Sequence, residues 1–167
     1  MNSDILKSYL QKCEVETELI MAFSDNRVGI ANSKRAVRLS RKNALDYAAF
    51  QNQENGNVTA EKIRIAGDFL EKEIVFGIFA DNGELASVGQ IHARATHNWI
   101  ISGVETLPNY RRRGYSREIV SEFTDLALSH AKIVTLFVDS ENKAAISLCQ
   151  NLGYKIIETG VRLIYNF

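Results

Sequence analysis

Residues 104–116 read Val104-Glu-Thr-Leu-Pro-Asn-Tyr-Arg-Arg-Arg-Gly-Tyr-Ser116 and form the most informative part of the chain. A predicted strand ends here, three arginines and a glycine follow, and a long helix begins. The first N–H groups of a helix have no internal partners, and the helix dipole adds partial positive charge. Gly114 lets a bulky ligand approach the backbone. The stretch therefore predicts a phosphate or pyrophosphate site, although an ordinary basic turn before a helix would look the same.

The segments on either side of this loop predict an α/β fold with a mixed sheet. Upstream lie an apolar strand at 74–80, a hairpin turn at Asp81-Asn82-Gly83, and strands at 84–95 and 99–106. Downstream, the pattern predicts a helix at 114–130, a strand at 133–138, a helix at 142–151 closed by Gly153, and two strands within 154–167. The strand at 133–138 is continuously apolar, which is typical of a strand buried on both faces. Strands alternating with helices indicate a parallel portion of the sheet.

The N-terminal half carries weaker signals. Apolar spacing predicts an amphipathic helix at 3–13, a strand near 36–39, and helices at 44–50 and 61–70, whereas 14–33 has no clear assignment. Residues 34–42 contain five basic side chains and no acid. They form either an anion-binding patch or a solvated strand edge beside a helix start, and the balanced charge elsewhere favours the strand edge.

The composition limits the classes of function. Twenty Lys and Arg balance twenty Asp and Glu in 167 residues, for a formal net charge of +0, which argues against nucleic-acid binding. No apolar run approaches the roughly 20 residues of a membrane span, and the first residues do not resemble a signal peptide. Cys13 and Cys149 lie far apart, so we expect no disulfide framework and no metal site. We expect a single cytoplasmic domain over residues 1–167 that acts without a membrane partner.

Two motifs in order resemble the GCN5-related N-acetyltransferase (GNAT) family, whose pyrophosphate loop reads Arg/Gln-x-x-Gly-x-Gly/Ala. Here the loop is Arg111-Arg112-Arg113-Gly114-Tyr115-Ser116, with serine in the last small position. The family's next segment reads Asn-x-x-Ala-x-x-Leu-Tyr-x-x-x-Gly-Phe/Tyr. Its counterparts here are Asn142, Ala145, Leu148, Gly153 and Tyr154, with Cys149 in place of the tyrosine. The resemblance is most specific over 100–158 and extends from 74 to the end of the chain.

The resemblance implies a central mixed sheet, splayed at the acyl-CoA site and flanked by helices. It also implies that acetyl-CoA is the co-substrate, with its pyrophosphate on the loop amides from Arg112 to Ser116 and Arg111 beside them. The pantetheine arm would pair with the strand at Val104–Thr106, where an N–H near Val104 would face the thioester carbonyl. Asn142 and Ala145 would contact the pantetheine, although Asn142 could equally cap a helix.

Acyl transfer to an amine requires a proton acceptor, because a primary ammonium with a pKa near 10.4 is only about 0.04% neutral at pH 7. Glu105, just before the loop, is the first candidate for the base, and a surface carboxylate that neutralises the arginines is the alternative. His92 and His97 are weaker candidates, expected on opposite faces of a strand. Cys149 is the candidate proton donor to the leaving thiolate, and a small buried apolar cysteine is the alternative.

These observations predict an acetyl-CoA-dependent N-acyltransferase that acts by direct attack in a ternary complex. The acceptor would be an amine of a small molecule or a protein, held by helices and loops around residues 43–70. An acyl-CoA-binding module with little or no transfer is the alternative. The terminal segment, 161–167, could pair across a homodimer.

Overall fold

The computed structural model describes residues 13–24, 35–53 and 56–165. The elements in chain order are β1 (Cys13–Phe23), β2 (Val37–Arg38), α1 (Ala44–Gln51), α2 (Ala60–Lys72), β3 (Val75–Phe79), β4 (Leu85–Arg94), β5 (Asn98–Thr106), α3 (Tyr115–Leu128), β6 (Ile133–Asp139), α4 (Lys143–Leu152) and β7 (Lys155–Tyr165). The predicted helices at 44–50, 61–70, 114–130 and 142–151 are confirmed, as is the hairpin around Asp81-Asn82-Gly83.

The strands form one seven-stranded sheet in the order β2-β3-β4-β5-β6-β1-β7. Only β5 and β6 run parallel, because helix α3 crosses back between them. Every other neighbouring pair is antiparallel. The predicted mixed α/β sheet flanked by helices is therefore confirmed.

Strand β1 lies between β6 and β7, although it comes first in the chain, and the sequence interpretation did not assign it. The missed signal is an alternation in which Val15, Thr17, Leu19, Met21 and Phe23 are interleaved with Glu14, Glu16 and Glu18. Met21 and Phe23 are buried and pair with Leu136 and Val134 of β6. The predicted helix at 3–13 lies outside the described residues, except for Cys13, which begins β1.

The C-terminal segment is one strand, so the prediction of two strands within 154–167 is wrong. Thr159 and Gly160 continue the ladder opposite Leu19 and Glu18 of β1. The 11-residue β1 is a partner along the whole of β7, so a turn signal inside the segment does not break it. The only irregularity is one extra residue, Ile157. Strand β7 forms an edge of the sheet, and the homodimer across 161–167 stays a prediction.

Strand β6 is buried mainly on one face, with Thr135 the one buried residue of its other face, which corrects the expectation of full burial on both. Val134, Leu136 and Val138 lie in the core, whereas Ile133 is 39% and Phe137 is 45% exposed. Helices α3 and α4 cover the first face, and their apolar side chains form one core with the sheet. Helices α1 and α2 pack on the other side of the sheet over β3 and β4, where they form a second core that does not extend to β6.

Two of the basic residues between 34 and 42 are paired with carboxylates, which supports the strand-edge interpretation. Arg35 is paired with Glu118 of α3. Arg41 binds Asp68 at 2.6 Å and Glu71 at 2.5 Å, both on α2. Strand β2 lies here at the edge of the sheet, and Lys34 lies outside the described residues.

Candidate functional site

A cleft opens where the two parallel strands separate. Strands β5 and β6 pair from Asn98 with Ile133 to Ile101 with Leu136. Beyond this point β5 continues to Thr106 beside β4, and β6 continues to Asp139 beside β1. The cleft between them has a volume of about 820 Å³.

The cleft brings together residues from three predicted segments. Those that line it are Val104, Glu105, Thr106, Arg111, Arg112, Gly114, Tyr115, Ser116, Asn142, Ala145 and Cys149. Among the residues predicted to bind the co-substrate, Arg113 is not in its lining. Its guanidinium lies 5.1 Å from the centre of the Tyr110 ring instead. The cleft is thus built by the end of β5, the loop before α3 and the first turns of α4.

A β-bulge in β5 lies just beyond the point where β5 stops pairing with β6. Between the pairs Val88–Glu105 and Gln90–Ser102, β5 has one more residue than β4. Gly103 lies there with a φ of 58°, a conformation that glycine adopts without steric cost. Bulges bend a strand and change the direction of the side chains that follow. Sequence reasoning missed this feature, and its signal is a single glycine inside a strand.

The loop before α3 places the first N–H groups of that helix at the cleft. Gly114 caps the helix with a φ of 83°, and Arg112 has a φ of 65°. The first intrahelical bond runs from the N–H of Glu118 to the carbonyl of Gly114 at 3.1 Å. The N–H groups of Tyr115, Ser116 and Arg117 precede that bond. A Cβ at Gly114 would have no heavy atom within 4 Å, so there is room for a bulky anion.

A chain of three hydroxyls joins the loop to the end of β5. Ser87 donates to the carbonyl of Glu105 at 2.7 Å, and its Oγ lies 2.7 Å from Oγ1 of Thr106. The Thr106 hydroxyl lies 2.7 Å from Oγ of Ser116. Each hydroxyl has one proton, so the carbonyl at the end fixes the direction: Ser116 donates to Thr106, and Thr106 donates to Ser87. Ser116 therefore binds the loop to β5 and has no proton left for a ligand in the cleft.

Removal of the central hydroxyl of this chain is expected to destabilise the protein. Thr106 is 9% exposed and Ser87 is fully buried. Thr106→Val removes the donor to Ser87, which keeps its bond to the carbonyl of Glu105, and leaves the Ser116 hydroxyl without its acceptor. We expect a loss of about 1–3 kcal/mol and a melting temperature roughly 3–10 °C lower. Thr106→Ser, which keeps the hydroxyl, is the matched control in thermal unfolding. Equal melting temperatures for the two variants would contradict the assignment.

The arginines of the loop have different roles. Arg111 donates from Nε to the carbonyl of Thr106 at 3.2 Å, which holds the loop against β5. Arg112 lines the cleft, and so does Arg117, which sequence reasoning missed. Arg117 lies in the first turn of α3, and its only sequence signal is its position just after the motif.

Asn142 caps helix α4, as its alternative interpretation proposed. Its Oδ1 accepts a hydrogen bond from the N–H of Ala145 at 3.0 Å. Capping uses the oxygen, so the amide N–H₂ is the group that Asn142 has for a ligand in the cleft. Asn142 can therefore cap α4 and contact a ligand in the cleft at the same time.

Cys149 lies at the cleft wall but is buried, with 4% of its surface exposed. Burial raises the pKa of its thiol to about 12. Proton transfer from such a group to a leaving thiolate, whose conjugate acid has a pKa near 8.5, is uphill by roughly three pKa units. These values favour the structural role over the role of proton donor.

Tyr154, the tyrosine nearest to Cys149 in sequence, is committed to the core. Thr124 donates to the carbonyl of Val120 at 2.6 Å, so the Tyr154 hydroxyl must donate to Thr124, also at 2.6 Å. Burial raises the pKa of Tyr154. Its ring packs 5.4 Å from that of Phe23. The Tyr154 hydroxyl is therefore engaged in the core and is not available for proton transfer in the cleft.

We expect Cys149→Ser to change the rate of acetyl transfer less than tenfold. A serine hydroxyl is similar in size to the thiol and fits a site where the side chain mainly packs. The measurement is steady-state kcat with the best available amine, with Cys149→Ala as the control for volume. A thousandfold loss for either variant would show that the thiol takes part in the chemistry.

A second cavity, of about 510 Å³, adjoins the cleft on the side of α1 and α2. It shares Gly103 and Glu105 with the cleft. Glu105 is paired with Val88 across the ladder, so both side chains lie on this face of the sheet. The pKa of the Tyr47 phenol on α1 is raised by burial and further by the charge of Glu105. Glu105 is thus the carboxylate at the junction of the two cavities.

The histidine candidates lie elsewhere. His92 is exposed on β4, and His97 lies in the turn after β4 rather than on the strand. Neither lines the two cavities. Among the described residues, no three His, Cys, Asp or Glu side chains are close enough to hold a metal ion. None of the helices in the described part of the chain is both long and apolar enough to cross a membrane.

Known proteins are similar to this chain in sequence and in fold. The sequence profile of the acetyltransferase (GNAT) family matches residues 42–154. No curated protein sequence matches the chain significantly. A solved structure assigned to the GNAT family from Novosphingobium aromaticivorans aligns with a TM-score of 0.70 and 21% identity, over 89% of this chain and 63% of its own. An acetyltransferase of the GNAT family from Colwellia psychrerythraea gives 0.71 and 14%, over 98% and 62%.

A third structure is that of AAC(6')-Iy in complex with the bisubstrate analogue CoA-S-monomethyl-acetylneamine. It aligns with a TM-score of 0.60 and 14% identity, over 79% of this chain and 95% of its own. The chain spans less than two thirds of the length of the first two structures, and at these identities the likeness shows the fold alone. The family profile, however, covers more than half of the chain, including both motifs around the cleft. The chain belongs to the GNAT acetyltransferase family.

Proposed function

We propose that this protein is an N-acyltransferase that moves an acetyl group from acetyl-CoA to an amine in a ternary complex. The observation that carries the proposal is the meeting of two cavities at Gly103 and Glu105, one beside a helix N-terminus and one beneath α1 and α2. A long anionic donor and a small acceptor can then approach each other from opposite sides. AAC(6')-Iy, which binds a CoA-containing bisubstrate analogue, has the same fold.

The loop before α3 would hold the pyrophosphate. The N–H groups of Tyr115, Ser116 and Arg117 precede the first helical hydrogen bond, and Arg111 and Arg112 add positive charge. The edge of β5 that faces the cleft would pair with the pantetheine arm, and the amide of Asn142 would bind it from α4. These groups fit an extended ligand with one anionic end.

Glu105 would accept the proton of the attacking ammonium, directly or through water. Acetyl-CoA supplies the acyl carbon as a thioester. The amine nitrogen then forms a bond to that carbon while the C–S bond breaks, and the leaving sulfur takes a proton. The sulfur can leave as a thiolate and take its proton from the solvent of the open cleft afterwards, so no proton from the buried Cys149 is needed. The N–H near Val104 would stabilise the charge on the carbonyl oxygen.

The second candidate function is an acyl-CoA-binding module with little transfer. It is favoured by Cys149, which stands where the family has a tyrosine and is buried as an ordinary apolar residue would be.

Two measurements test these proposals in sequence. Titration with acetyl-CoA, followed by thermal unfolding, should raise the melting temperature in a saturable way. Release of free CoA in the presence of an amine panel then separates the two functions. Saturable binding with no CoA release for any amine would favour the module, and no binding at millimolar acetyl-CoA would overturn both.

A further inference from the structure

We propose, on the basis of the transferase function above, that the acceptor is a monoamine with an apolar, ring-sized body rather than a polyamine or a basic peptide. The proposal rests on the chemistry of the second cavity. Its volume of about 510 Å³ is sufficient for a small ring compound next to the cleft.

The wall of this cavity is largely apolar. Tyr47 of α1 and Phe69 of α2 stack with their ring centres 5.8 Å apart and their planes 9° apart. Val88 closes the floor from β4, and Ile65 lines the cavity from α2 although 54% of it is exposed. An exposed isoleucine beside a ring pair favours a ligand with apolar surface of its own, because burial of that surface stabilises the complex.

The charges in the cavity favour a single positive group. Among the described lining residues, Glu105 is the only carboxylate and Lys62 is the only cation. Lys62 lines the cavity from α2, and its ammonium donates to the carbonyl of Asn57 at 3.1 Å. A second ammonium on the acceptor would find no carboxylate there and would be repelled by Lys62.

The acidic residues of helix α2 are not available to such a ligand. Asp68 and Glu71 are bound by Arg41, and Glu61 is bound by Arg64. Guanidinium groups hold the pKa values of these three carboxyls below their usual range, which indicates that their charges are already compensated. A monoamine would therefore place its ammonium at Glu105 and its body against Tyr47, Phe69 and Ile65.

The test compares three acceptors with the full chain and saturating acetyl-CoA: 2-phenylethylamine, spermidine and a short lysine-containing peptide. The readouts are CoA release and the mass of the acetylated product. We expect kcat/KM for 2-phenylethylamine to exceed that for spermidine and for the peptide by at least tenfold. Faster turnover of spermidine or the peptide would overturn this inference and leave the transferase function intact. No turnover of any amine, despite saturable acetyl-CoA binding, would overturn both.

A pair of variants tests the cavity itself. Ile65→Glu places a carboxylate on the wall and should shift the preference toward spermidine by at least tenfold. Leu45→Glu is the matched control, since Leu45 is 57% exposed on α1 and does not line the cavity. Equal acceptor preferences in the two variants would overturn the assignment of this cavity to the acceptor body.

Discussion

Replacing Gly114 by aspartate is expected to lower the affinity for acetyl-CoA by at least 100-fold. Gly114 caps α3 at the cleft, and a side chain there would occupy the space open to the pyrophosphate. Like charges about 4 Å apart near a protein surface repel by about 4 kcal/mol, and screening at an exposed loop leaves roughly 3 kcal/mol. The affinity measured by calorimetry should therefore fall by about two orders of magnitude.

Gly114→Asn is the matched control for this experiment. Asparagine has nearly the same shape as aspartate and, like aspartate, tolerates the left-handed conformation that Gly114 adopts with a φ of 83°. We expect a smaller loss of affinity, because bulk is added without charge. If the two variants bind acetyl-CoA equally, the loop does not hold the pyrophosphate. The melting temperature without ligand shows whether either variant is misfolded.

The segments that sequence patterns predicted best are those whose partners are close in the chain. The hairpin of β3 and β4 turns at Asp81-Asn82-Gly83, and α3 and α4 carry periodic apolar faces with glycine at a cap of each. Local sequence contains most of what determines such elements. It does not determine which strands pair when the partners lie far apart, and here the least predictable strand is β1.

Strand β1 shows this limit most clearly. Its partners are β6 and β7, more than 100 residues further along the chain. Glutamate has a low strand propensity, but two of the glutamates that alternate with apolar residues in β1, Glu16 and Glu18, pair with Arg162 of β7. Because β1 stabilises β7 along its full length, the turn signal at Thr159-Gly160 had no effect. The insertion of β1 between β6 and β7 thus explains why β1 was not assigned and why two strands were predicted within 154–167.

The residues of the cleft were predictable to the extent that motifs mark them. The loop from Arg111 to Ser116 and the start of α4 meet in space as the two motifs suggested. Gly103 inside a strand was the only sequence signal of the bulge, and the hydroxyl chain through Ser87 was not predictable. A bulge is defined by its partner strand, and Ser87 acts through the carbonyl of a residue 18 positions away.

Replacing Glu105 by glutamine is expected to lower kcat for acetyl transfer by roughly 10²–10⁴-fold, the usual contribution of a general base. Glutamine keeps the size of the side chain but cannot accept the proton of the ammonium. The rate of the variant should depend on the small fraction of amine that is already neutral. That fraction rises tenfold per pH unit below a pKa near 10.4, so alkaline pH should restore much of the lost rate.

The affinity for acetyl-CoA separates this role from its alternative. If Glu105 only neutralised the nearby arginines, Glu105→Gln would increase the net positive charge at the cleft and strengthen acetyl-CoA binding while kcat stayed constant. If Glu105 is the base, kcat falls and the dissociation constant of acetyl-CoA changes little. Glu105→Asp adds a further distinction, since a shorter carboxylate keeps the charge but moves the proton acceptor away from the junction. If Glu105 is the base, kcat falls in both variants. If Glu105 only neutralises the arginines, kcat is unchanged in both, and the affinity for acetyl-CoA changes only in Glu105→Gln.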